Sequence, residues 1–332
     1  MLEHGGGLLA AAQRYGIALS DWIDLSTGLN PHGWPVPDIA MRAWQRLPEP
    51  LDGLEAAAAA FYGADGLLPV AGSQAAIQAL PRLRPLCRVG LLDFTYAEHP
   101  HAWRRQGHAI TRLTPGAIDA ALDQLDVLQL TTPNNPTGWL PEPAQLADWH
   151  ERLARRGGWL LLDETFLDVT PERSLLPRAG QPGLIILRSI GKFFGLAGAR
   201  AGFVFAWPAL LDALRDELGP WALCGPTRQA VRQALQDRDW HAAMRVRLPQ
   251  ESARLAGLLT RHGLAPDGGS PLFQWLRHPD AADLHDRLAR QGVWTRLFAE
   301  PASVRFGLPE NEAAWDKLEA ALAAHGPTAI KI

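Results

Sequence analysis

Between residues 189 and 202 the chain reads SIGKFFGLAGARAG, with Lys192 and Arg200 set among small and apolar neighbours. A lysine ordinarily keeps its ammonium in water. One flanked by Gly191, Phe193 and Phe194 is poorly solvated, which favours the neutral, nucleophilic amine. Three other stretches hold residues of unusual type for their place. WLLLDETF closes an apolar run with Asp163, and a carboxylate there is costly unless paired. TTPNNPTG follows a second apolar run and puts Asn135 in a proline–glycine turn. AGSQ opens a helical stretch, and the backbone N–H groups at Ser73 and Gln74 suit an anion. Each stretch alone has an ordinary explanation: a solvated loop lysine, a salt-bridged aspartate, a tight turn, a glycine before a helix.

Together they suit one cofactor. Pyridoxal 5'-phosphate requires a lysine for its Schiff base and an acid facing its pyridine nitrogen. It also needs an anion site and an aromatic face. The order GSQ, NNPTG, DETF, SIGKFFGLAGARAG and then an arginine strand near the C-terminus resembles the fold-type I pyridoxal-phosphate enzymes of the class I/II aminotransferase superfamily. The resemblance covers nearly the whole chain. It implies an α/β fold: a large domain with a mostly parallel sheet and a smaller C-terminal α+β domain. It makes Lys192 the Schiff-base lysine and Asp163 the partner of the ring nitrogen. Asn135 would bond the ring O3′. Ser189, Arg200, Ser73 and Gln74 would hold the phosphate, and Tyr96, in DFTYAEH, would stack on the ring. Arg305, in VRFGLP, falls where the family binds a substrate carboxylate. The family also implies a homodimer.

Within the superfamily the chain resembles most the threonine-phosphate decarboxylases of cobalamin biosynthesis. HGGG at 4–7, followed by DLSTGLNPHGWP, is similar to that subfamily's opening, and GPWALCGP is similar to another of its segments. Phe166 stands where most aminotransferases carry a tyrosine that bonds O3′. On this resemblance the substrate is a small phosphorylated amino acid, L-threonine O-3-phosphate. His4 with Gly5, Arg296 and Arg305 would bind its two anionic groups, with Asn135 alongside. Two other readings remain: a histidinol-phosphate-type aminotransferase, and a non-catalytic ligand-sensing domain of the same fold. One departure is Leu47, in RLPEPLDGLE, where the family often has a tyrosine that reaches the neighbouring subunit's cofactor.

These side chains need a scaffold that brings strand ends together. Apolar runs at 88–94, 126–132, 159–164, 184–189 and 201–206 alternate with helical stretches, which predicts a mostly parallel sheet covered on both faces. Ligands on such sheets sit beyond the carboxyl ends of the strands, where Asp163 and Ser189 fall. We expect an N-terminal arm and part of the small domain over 1–45, a large cofactor-binding domain over 46–225 and a small domain over 226–332. The arm reads as irregular. With 332 residues, 47% of them hydrophobic, the chain can bury a large core. A formal net charge of −3 offers no basic surface for nucleic acid, and no apolar run is long enough for a membrane helix. No leader is read at the N-terminus. Cys87 and Cys224 match no metal or disulfide spacing, so a metal-free, cytoplasmic protein is expected.

Overall fold

The computed structural model describes residues 4–324, and the chain forms two compact units. One contains residues 33–135 and 139–243. The other contains the described residues up to 32, residues 136–138, and the described residues from 244 onward.

The first unit is built on a seven-stranded sheet. Its strand order is Leu67–Val70, Gly202–Phe205, Leu184–Ser189, Trp159–Asp163, Val127–Thr131, Arg88–Leu92 and Ala109–Leu113. Gly202–Phe205 runs antiparallel to both neighbours, and the remaining pairings are parallel. The inner strands are buried on both sides, which is why they read as unbroken apolar runs. On one face Val127, Leu161 and Leu187 pack with Ile77, Trp103 and Leu214 from three helices. Helix Pro143–Ala154 packs on the Trp159–Asp163 strand and buries Leu146, Trp149 and Leu153.

All five expected strands are inner ones, and both outer strands escaped the sequence reading. Leu67–Val70 contains Pro69, which has no N–H to donate and is tolerated only because this strand is an edge. Ala109–Leu113 is the opposite edge, and only Leu113 in it is fully buried.

The second unit carries a four-stranded antiparallel sheet in the order Arg296–Phe298, Ser303–Gly307, Phe273–Arg277, Gly268–Ser270. Apart from it, Ile23–Asp24 pairs in parallel with Val293–Trp294. The arm is less irregular than its glycines suggest: Leu8–Tyr15 is helical and buries Ala11 with Trp22 and Ala289. The boundaries between units also differ from the expected 45 and 225. Helix Gly225–Gln236 packs on helix Leu54–Tyr62, and Arg228 bonds Asp52 and Glu55 at 2.7 and 2.8 Å. That holds residues 226–243 in the sheet unit.

Behind the strand ends lies a buried ionic cluster. Arg188 Nη2 is 2.8 Å from Glu164 Oε2, and its Nη1 is 2.7 Å from Asp168 Oδ1. Ser174 Oγ accepts from Arg188 Nη2 and donates to Glu164. Burial raises the Glu164 pKa, and Arg188 opposes that rise. Glu164 follows Asp163 and Arg188 precedes Ser189, so the cluster ties together the two strands that carry site residues. Replacing Arg188 by Met leaves two carboxylates buried without their cation. It should cost about 3–5 kcal/mol in urea denaturation; a change below about 1 kcal/mol would contradict this role.

Candidate active site

The sheet unit gathers its unusual residues at the carboxyl ends of neighbouring strands. Asp163, the last residue of its strand, is 3% exposed. Its Oδ2 lies 2.8 Å from Nε2 of His99, itself buried, and its Oδ1 accepts the Thr165 N–H at 3.2 Å. Its two oxygens thus have separate partners, and the carboxylate is held in one orientation. The sequence reading missed His99. The available signal was its spacing: it follows Tyr96 by three positions at the start of helix Glu98–Arg105, so the two rings share a side and meet edge to face at 5.8 Å.

Around Asp163 opens a cavity of about 130 Å³. All eight residues assigned to cofactor binding line it. Lys192 reaches it from the loop beyond Leu184–Ser189, with Nζ 5.3 Å from the centre of the Phe166 ring. Phe166 has no hydroxyl, so the Asn135 amide is the polar side chain that the NNPTG turn contributes to the cavity. Its neighbour Asn134 is fully buried and does structural work: it accepts from Thr95 Oγ1 and donates to the Phe94 carbonyl, which pins the DFTY loop.

Tyr96 also lines the cavity. Burial, followed by the charges of Glu98 and Asp163, pushes its phenol up to about 12. Gln74 lines the cavity too, and its amide nitrogen donates one hydrogen bond to Glu98 at 2.8 Å.

Ser73, Ser189 and Arg200 line the same cavity. Arg200 sits in the left-handed region at φ 50, which is unfavourable for a side-chain-bearing residue. Gly72 has φ 70, and a Cβ there would fall 2.6 Å from Arg200 Nη2. Only glycine lets the guanidinium lie against the backbone where the Ser73 helix begins. A guanidinium, several hydroxyls, an amine, two amides and a buried carboxylate backed by a histidine thus line one cavity. This donor set fits pyridoxal phosphate.

The substrate-side candidates lie in the other unit. Arg296 and Arg305 are register partners on adjacent strands. Arg305 is 5% exposed and donates to the Ser26 carbonyl at 2.7 Å. Burial, then the neighbouring Arg296 charge, draws its pKa down to about 10, and Asp24 opposes the shift. It remains a cation at neutral pH. Arg296 donates to the His4 carbonyl at 3.1 Å, so the structure brings the HGGG arm and both arginines together.

A family model, aminotransferase class I and II, matches residues 21–317. The chain belongs to that family. Among curated relatives, the threonine-phosphate decarboxylase of Pseudomonas aeruginosa is 57% identical over 97% of each chain. That of a Sinorhizobium species is 41% identical over 97% of this chain and 98% of its own. Among solved structures, the histidinol-phosphate aminotransferase of Sinorhizobium meliloti in complex with pyridoxal-5'-phosphate has TM-score 0.84 and 21% identity, over 96% of this chain and 94% of its own. That likeness concerns the fold.

As a family member with a raised tyrosine, the chain has a defined alkaline behaviour. Tyr96 in the folded state keeps its proton up to about pH 12, whereas the unfolded chain loses it near pH 10. The contribution to stability is therefore full below pH 10 and falls as pH rises through that window. Tyr96→Phe should lose less stability than the native chain between about pH 9 and pH 11 in urea titrations. Equal losses would contradict the burial of the phenol.

Proposed function

We propose that this protein is a pyridoxal-phosphate-dependent lyase that converts L-threonine O-3-phosphate to (R)-1-amino-2-propanol O-2-phosphate and carbon dioxide, as a step of cobalamin biosynthesis. The single observation that carries the reading is the 57% identity to a threonine-phosphate decarboxylase over 97% of both chains. The donor set of the cavity supports it. Phe166 and the HGGG arm favour decarboxylation over amino transfer.

When bound, the cofactor supplies an electron-withdrawing ring that accepts the electron pair left at Cα as the carboxylate departs. In this reading Asp163 holds negative charge at the ring nitrogen and keeps it protonated, and His99 keeps that carboxylate in place. Tyr96 provides the stacking face, and Asn135 bonds O3′. Ser73, Ser189 and Arg200 bind the phosphate, the guanidinium doing so with paired N–H groups. Lys192 would hold the cofactor through Nζ, and its amine, protonated from solvent, would be placed to deliver a proton to Cα. That proton takes the place of the carboxylate, so carbon dioxide is the only carbon lost.

Arg296, Arg305 and the arm at His4 and Gly5 bind the substrate's carboxylate and phosphate. Choice of reaction would lie in that anchoring, because it sets which bond at Cα is aligned for cleavage. We further infer a homodimer in the cytoplasm. Met41, Trp44, Leu47 and Leu51 are exposed along one segment of the sheet unit, as an interface requires. Two free thiols suit a reducing compartment. No helix among the described residues is long and apolar enough to cross a membrane.

The purified enzyme should release carbon dioxide from L-threonine O-3-phosphate in stoichiometric yield without any keto acid. Keto-acid-dependent turnover without carbon dioxide would replace this reading with an aminotransferase.

A further inference from the structure

Ser26 occupies a junction that none of the roles above uses. It is 1% exposed and bonds its own turn and two other segments of the second unit. Its carbonyl accepts the Arg305 guanidinium at 2.7 Å. Its N–H and its hydroxyl both donate to Asp24 Oδ1, at 2.9 and 2.6 Å. Its Oγ accepts the Gly6 N–H at 2.6 Å. A hydroxyl has one proton, and Asp24 takes it, so a lone pair is left pointing at the arm. The arm is close enough that a Cβ on Gly5 would fall 2.5 Å from the same Ser26 carbonyl. Two more bonds hold the arm to the strands beside it, from Trp294 Nε1 to the Gly6 carbonyl and from Arg296 to the His4 carbonyl.

We propose that Ser26 is a positioning residue that fixes the HGGG arm and the Arg305 guanidinium in one frame, so that the two anionic groups of the substrate meet a preformed site. The inference rests on the substrate-side reading above. The physical reason is economy of freedom. Glycines at 5, 6 and 7 make the arm intrinsically loose, and ordering it on binding would weaken affinity. Bonds made to a buried serine beforehand remove that cost. Asp24, exposed and within the field of Arg305, orients the hydroxyl.

The test uses the full-length holoenzyme with Ser26→Ala and, separately, Asp24→Ala, which removes the hydroxyl's acceptor at an exposed position. Hydrogen exchange of the arm peptide covering Gly5–Leu8, without substrate, should accelerate about fivefold in both variants, the effect of one hydrogen bond. Steady-state kinetics on L-threonine O-3-phosphate should show KM raised about fivefold with kcat within about twofold. In an Arg305→Lys background, Ser26→Ala should add less to KM than it does alone, because both residues act through one frame.

Unchanged exchange, a kcat loss as large as the KM effect, or full additivity with Arg305→Lys would overturn the proposal. If Ser26→Ala does not fold, Asp24→Ala carries the same expectations. If the native enzyme releases no carbon dioxide from threonine phosphate, the functional reading fails, and the exchange measurement still decides whether Ser26 orders the arm.

Discussion

The site depends on one buried carboxylate. Asp163 stands at the end of a strand whose five residues are all buried, where an unpaired charge would be costly. The imidazole of His99 and the N–H of Thr165 make that position tenable, one to each oxygen. Thr165 follows the strand end, whereas His99 is brought from helix Glu98–Arg105, 64 residues earlier, so the acid's support is specified by the fold. Removing the imidazole would leave Asp163 buried with one backbone bond. The orientation of the carboxylate toward the cavity would no longer be fixed.

The remaining groups are arranged around this fixed point. The Glu164–Arg188–Asp168 cluster holds the Asp163 strand to the strand that leads to Lys192. The approach of Gly72 to Arg200 places a cation where the Ser73 helix begins, at the expense of a left-handed arginine. In the other unit, a second pair of cations is managed differently. Arg305 is deeply buried, and its charge is kept by hydrogen bonding to Ser26 and by the nearby Asp24. The two cationic arrangements thus differ in how their charges are held. In one, Arg200 lies against the glycine backbone at the start of the Ser73 helix; in the other, Arg305 is buried and Arg296 bonds the carbonyl of the arm.

Much of this was legible in the sequence because the chemistry imposes types and spacings. Lys192, Asp163, Asn135 and Arg200 could be named, and all four line one cavity. The inner strands were readable as apolar runs because burial on both faces removes polar residues from them. The edge strands were not, since the missing outer neighbour tolerates Pro69 in one and exposure lets Arg112 enter the other. His99 and Ser26 went unassigned for a related reason. Both act by supporting another residue, and a supporting hydrogen bond leaves no motif of its own. Gln74 shows the opposite limit: its position in the motif was readable, but the hydrogen bond from its amide to Glu98 was not. The helix at Leu8–Tyr15 was hidden by the glycines on either side of it.

The account turns on Lys192 being the residue that bonds the cofactor. The chain has three lysines, at 192, 317 and 331, so the attachment point can be assigned without ambiguity. Borohydride reduction of the holoenzyme followed by peptide mass mapping is the direct measurement. The expected result is one pyridoxyl phosphate per chain, carried by the peptide that contains Lys192. Reduction that labels Lys317 or Lys331 instead, or that leaves all three unmodified, would contradict it.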